Sequence, residues 1–169
     1  MPTLRTAVLL GATVTTGLSA GLFYSYACSV MPGLARADDR TFVEAMQRIN
    51  VAILNGWFML SFLGALVLIG AAGLVELKTG GSRTVLLWIG AAAAFQLAVL
   101  VITGVANVPL NDRLAAAGPP GGGTDLAAAR AAFETTWVHW NLARALASTA
   151  ALTCISWALR LSARTPAPV

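Results

Sequence analysis

The chain has 169 residues, of which 57% are hydrophobic and only 11% charged, where a soluble globular domain carries about 25% charged residues. That deficit, with a mean hydropathy of +0.75, excludes a water-soluble fold, because one domain of this length cannot bury so much apolar surface and most of it must face lipid or neighbouring helices. The net charge of +4 comes from scattered Lys and Arg with no basic run or basic-aromatic stripe, which excludes a nucleic-acid partner, while one His and two separated Cys cannot supply the ligand sets of bis-His haem, three-His copper or two-His-one-carboxylate iron from this chain alone.

Four stretches poor in charge can each supply the ~20 apolar residues that a spanning helix needs. They are expected over about residues 5–29, 50–75, 84–108 and 137–160. Lipid permits only helices or closed barrels, and the strict alternation of a barrel strand is absent. The fold expected is therefore all-α: an integral membrane four-helix bundle, one domain over residues 1–169, with a short amphipathic surface helix between spans 1 and 2.

In chain order, the segment after Arg5 has the outline of a secretory signal ending in "SYAC", but its apolar run exceeds the 7–15 residues of such a signal. A retained first span is expected. Within it Thr13, Gly17, Gly21, Ser25 and Ser29 recur every fourth residue and form a small-residue row suited to close helix packing. Pro32 and Gly33 are expected to break that helix, and Asp38 or Asp39 to cap the next. There Phe42, Ala45, Met46 and Ile49 share an apolar face, and Glu44 and Arg48 pair at i,i+4. "ELKTGGSR" reads as a tight hairpin into the third span. The connection from Asn107 to Thr136 is the longest. It holds "GPPGGGTD", a turn or mobile loop, and then an Ala-rich helical stretch from about Leu126. The tail "ARTPAPV" is expected to be disordered. Arg5, Lys78, Arg83, Arg160 and Arg164 lie at one end and Arg36, Arg40, Arg48, Arg113 and Arg130 at the other, an even count, but the first set sits in short connections tight against span ends, so a multi-pass cell-membrane protein with both termini in the cytoplasm is expected. Cys154 lies about 25 Å deeper in the bundle than Cys28 at 1.5 Å per helical residue, so no disulfide between them is expected.

Polar and aromatic residues gather where the spans meet the two long connections. Tyr24, Tyr26 and Cys28 end the first span. Asn50, Asn55 and Trp57 open the second, and Asn107, Asn111 and Asp112 end the third. "TWVHWNLAR", Thr136 to Arg144, opens the fourth. At 100° per residue Trp137, Trp140, Asn141 and Arg144 fall within an arc of about 100°, and His139 points away from its centre by roughly 150°. The apolar run beyond this motif has only about 15 residues, too few to span, so Arg144 must lie at or below the interface. One account is an aromatic belt with a snorkelling Arg. The other is a pocket closed by the surface helix and the third connection, because an ionisable residue at that depth faces a bundle interior or a wet cavity. Asn107 and Asn111 also fit helix C-capping around Pro109.

"GLFYSYACSVMPGLARADDRTFVEAMQRIN..ILN..F", followed by "NVPLN" and "W..WN..R", resembles the anthrone oxygenase-like family, also called DUF1772. The resemblance implies a small four-span membrane oxidoreductase, a monooxygenase of aromatic polyketide pathways. Such an enzyme oxidises an anthrone-type polycyclic phenol with O₂ and without a cofactor or metal. Arg144, Asn141, Asn107 and Asn111 would then be catalytic, stabilising an oxyanion in a low-dielectric site, and Trp137, Trp140, Tyr24, Asn50 and Asn55 would bind the substrate. The partners implied are a hydrophobic aromatic small molecule, O₂ and the lipid bilayer, with room for a homo-oligomer. No base follows from the motif: His139 is on the far face, and Glu134 and Asp112 are near only in sequence. The alternative is a non-catalytic multi-pass protein, an accessory subunit or a binder of lipid or quinone. A transporter is disfavoured by the lack of an internal repeat.

Overall fold

The computed structural model describes residues 2–119, 123 and 125–164. Half of "GPPGGGTD" (120–122 and 124) and the last five residues of the tail lie outside the described residues. Among the described residues there is no strand. The α-helices are α1 (Pro2–Ser25), α2 (Met31–Leu34), α3 (Asp39–Ala52), α4 (Gly56–Lys78), α5 (Arg83–Ile102), α6 (Val108–Ala116) and α7 (Leu126–Ser162). A π turn, Tyr26–Val30, joins α1 to α2, and a second, Thr103–Asn107, joins α5 to α6. Four helices are long and apolar enough to cross a membrane. They are α1 with α2, α4, α5 with α6, and α7. They close a ring in which α1 packs on α4, α4 on α5, α5 on α7 and α7 on α1.

The two prolines do not break their helices as the sequence leads one to expect. A proline inside a helix lacks its amide and presses on the carbonyl four residues back. Here each follows a π turn. The amide of Met31 donates to the Tyr26 carbonyl and that of Val108 to the Thr103 carbonyl, each five residues back, and Pro32 and Pro109 come next. The wider turn makes room for the ring, and helix resumes. Asn107 and Asn111 are therefore helical residues, not C-caps.

The second span begins later than expected. α3 runs to Ala52, and the Asn55 side chain caps α4 by accepting from the Phe58 amide at 3.1 Å. Asn50 thus belongs to the surface helix. Asp38 caps α3, accepting from the Thr41 amide at 3.0 Å and its hydroxyl at 2.7 Å, contacts that hold its carboxyl below the ordinary aspartate range. The small-residue row of α1 is not its packed face. Gly17 meets only Leu152 and Gly21 meets nothing, while Leu9, Ala12, Thr16, Ser19 and Phe23 are buried. A four-residue repeat drifts about 40° per step around a 3.6-residue helix, so the row spirals off any one neighbour.

The core has three layers. Leu9, Ile69, Ile89 and Ile155 pack at the end bearing the termini, and Phe23, Phe62, Val99 and Ala145 pack at mid-bundle. Phe42, Met46, Leu114, Phe133 and Trp137 form the third layer, where α3 covers the bundle. At 37 residues, α7 is about 55 Å long, against a hydrocarbon core of ~30 Å. Its first turns extend past the lipid and carry this cap.

Arg130 on α7 holds the cap together. Its Nη1 donates to the Ala37 carbonyl at 2.9 Å and to Asp39 at 3.0 Å, its Nη2 to the Ala35 carbonyl at 3.0 Å and its Nε to Glu134 at 2.7 Å. The guanidinium also lies 4.6 Å from the Phe42 ring centre. A lysine keeps the charge but cannot supply this fork. Arg130→Lys is expected to lower stability by about 1–3 kcal/mol, with faster limited proteolysis in the α2–α3 connection as the measurement.

Candidate functional site

Where the cap meets the bundle there is a cavity of about 280 Å³, just under the usual size of small-molecule sites, ~300–1,000 Å³. Phe23 and Tyr26 form one wall, Ile49, Asn50 and Leu54 a second, Thr103, Asn107, Asn111 and Asp112 a third, and Trp137, Asn141 and Arg144 the fourth. The lining is mainly apolar with a few convergent polar groups, as in pockets that bind flat organic molecules.

Arg144 is central. It is 6% exposed. Nη2 donates to Asn141 Oδ1 at 3.1 Å and Nη1 to Thr103 Oγ1 at 3.4 Å. The guanidinium carbon lies 4.5 Å from the centre of the Phe23 ring and 5.3 Å from that of Trp137. Cation–π contacts of this kind are stronger when desolvated. No carboxylate pairs with Arg144 among the described residues, in contrast to Arg5, Arg48 and Arg130. Its Nε has no partner within the protein.

The neighbouring amides are arranged by backbone and indole groups. Asn141 Nδ2 donates to the Phe23 carbonyl at 3.1 Å, tying α7 to α1. Asn107 Nδ2 reaches the Trp137 carbonyl at 3.4 Å. Trp137, itself buried between Tyr26 and Phe133, donates its indole N–H to Asn111 Oδ1 at 2.8 Å. Two further buried polar atoms on lining residues, Asn107 Oδ1 and Asn50 Nδ2, find no protein partner. Buried polar groups are nearly always hydrogen-bonded, so three such atoms around one cavity mark where a bound molecule would make its contacts.

Of the residues singled out from the sequence, Arg144, Asn141, Asn107, Asn111, Trp137 and Asn50 come together. Trp140, Tyr24 and Asn55 do not line the cavity. Trp140 is 42% exposed and Tyr24 62%. Trp140 sits at the edge of its helical arc, and Tyr24 is turned about 100° from the buried Phe23. The side chain of Asn55 is spent on capping α4. Lining residues not assigned to the site from the sequence include Phe23 and Thr103, and also Tyr26 and Asp112, which stand in the polar cluster at this end without a site role. Phe23 lies among other apolar residues with nothing to distinguish it, and Thr103 reads as an ordinary small polar residue in a span.

The family model described as anthrone oxygenase matches residues 57–154, more than half of the chain. The chain belongs to the anthrone oxygenase family. The match runs from the start of α4 into α7 and takes in Asn107, Asn111, Trp137, Asn141 and Arg144, whereas Phe23, Tyr26 and Asn50 precede it. The family stretch is thus narrower than the resemblance quoted from the sequence, which begins at Gly21. No curated protein and no solved structure matches the chain.

Proposed function

We propose that the protein is a membrane oxygenase that oxidises a flat, apolar ketone with an acidic C–H, of the anthrone type, by direct reaction with O₂ and without a resident cofactor. The observation that carries this reading is Arg144: a buried guanidinium with no carboxylate paired to it among the described residues, on the wall of a cavity lined by aromatic and amide side chains. A charge at such depth is costly and marks a functional site by default. A preorganised cation in a dry site is suited to an oxyanion that develops during reaction.

Loss of a methylene proton converts the ketone to an electron-rich enolate whose oxygen faces Arg144. The enolate passes one electron to O₂, and the resulting pair combines at carbon to form a peroxide. Protonation and loss of water leave a second ketone, so one ketone and one O₂ give one quinone and one water. Phe23 and Trp137 provide flat walls for the ring system, and Asn107, Asn111 and Asn141 position Arg144 and Trp137. The basic residues in the short connections at the end bearing Arg5 and the α4–α5 hairpin favour a cytoplasmic position for that end, with the cavity toward the opposite face.

The test is O₂ uptake by protein purified in detergent or nanodiscs, with anthrone as substrate. The expected outcome is uptake above the protein-free rate, one O₂ per anthrone, with one atom from ¹⁸O₂ in the quinone. Tight binding of anthrone with no acceleration would assign the cavity to a carrier or accessory role instead.

A further inference from the structure

The oxygenase reading needs a group to take the methylene proton, and the cavity contains one. We infer that Asp112 is the proton acceptor, an inference that rests on the oxygenase reading. Among the residues lining the cavity it is the only carboxylate. It stands on α6 beside Asn111, whose side chain is fixed to Trp137 of α7 at 2.8 Å, so this wall is held in place against the wall that carries Arg144.

The other acids and bases near this end are committed or elsewhere. Glu134 is bound by Arg130 at 2.7 Å. Asp39 also pairs with Arg130, and Glu44 with Arg48. His139 is exposed and outside the lining. The Asp112 side chain has neither an ion pair nor a hydrogen bond among the described residues. It is exposed at the cavity rim, where it can pass a proton on to water.

One cavity therefore presents an unpaired cation on α7 and an unpaired anion on α6. In an anthrone the ketone oxygen and the acidic methylene lie at opposite edges of the central ring. With the oxygen against Arg144, the methylene lies across the ring from it, so the base must stand on another part of the same lining, which Asp112 of α6 does. The step is a proton transfer: a C–H bond breaks, the proton moves to a carboxylate oxygen of Asp112, and the electron pair enters the ring system and resides on the oxygen held by Arg144. Electron transfer to O₂ follows as a separate step.

That separation gives a test independent of oxygen chemistry. Anthrone is incubated anaerobically in D₂O with the protein, and methylene exchange is followed by mass spectrometry. The wild type is expected to accelerate exchange. Asp112→Asn should reduce both exchange and O₂ turnover by about 10²-fold or more, the contribution typical of a positioned base, with Asp112→Glu restoring part of each. Anthraquinone binding, read by Trp fluorescence, should be unchanged in both variants. Exchange by Asp112→Asn at the wild-type rate, or no exchange by the wild type, overturns the assignment of Asp112. Exchange without O₂ uptake overturns the oxygenase reading and leaves Asp112 as the base.

Discussion

Arg144→Met is expected to reduce O₂ turnover by about 10²–10³-fold, the loss typical of one oxyanion-stabilising donor, while the melting temperature in detergent stays the same or rises. The two halves of this result have one cause. In the resting protein Arg144 is 6% exposed, and among the described residues its guanidinium pairs with no carboxylate, only with Asn141, Thr103 and two ring faces. Those contacts do not replace the hydration of a full charge, so Arg144 is a net cost to folding, and an apolar side chain of similar length removes that cost. The charge becomes favourable only when an anion forms beside it. Arg144→Lys should also fall well short of wild type, since an ammonium cannot lie flat between Phe23 and Trp137 while reaching both oxygens. Turnover near the wild-type rate in Arg144→Met would remove Arg144 from the mechanism. A large drop in melting temperature would make it a structural residue.

This arrangement was partly legible in the sequence. The fold class follows from hydropathy alone, because a span must be long and apolar and the chain has four such stretches. Arg144, Asn141 and Trp137 were legible because helical phase and depth can be counted along one helix. What lines the cavity from other helices was harder to see. Phe23 and Thr103 converge on Arg144 through packing between helices, and no spacing within α1 or α5 encodes that. Trp140 shows the limit of the arc argument: a residue at the edge of a face can turn outward. Pro32 and Pro109 misled because proline usually stops a helix, and here the π turns absorb it.

The second large effect is at the opposite end of the bundle. Glu76 is fully buried. Arg5 Nη2 donates to its Oε1 at 2.9 Å and Arg5 Nε approaches Oε2 at 2.6 Å, while the Ser82 amide donates to Oε1 at 3.0 Å. One carboxylate thus ties the start of α1 to the α4–α5 hairpin. Glu76→Ala strands the Arg5 guanidinium, whose side chain is only 12% exposed, and should cost about 3–5 kcal/mol. It is read as a lower melting temperature in detergent, with turnover per folded molecule unchanged. The double variant Arg5→Met, Glu76→Met should recover most of the loss, because it removes both charges together. No loss in the single variant would show that the pair is not desolvated. The hairpin is shaped around the same carboxylate. Gly80 turns the chain with a φ of 64°, which favours glycine. A Cβ on Gly81 would collide with Glu76 Oε1, so a side chain there displaces the carboxylate from both of its donors.

The π turn at Thr103–Asn107 has a bearing on how relatives of this chain should be compared. Such a turn amounts to one extra residue in an α-helix. Deleting one residue there would leave the helix apolar, continuous and correctly spelled, yet rotate everything after it by about 100°. Asn111 and Asp112 would leave the cavity although "NVPLND" remained intact. The site is thus encoded by a count as well as by letters. A sequence that carries the motif but differs by one position in the segment before it shares the words and not the arrangement.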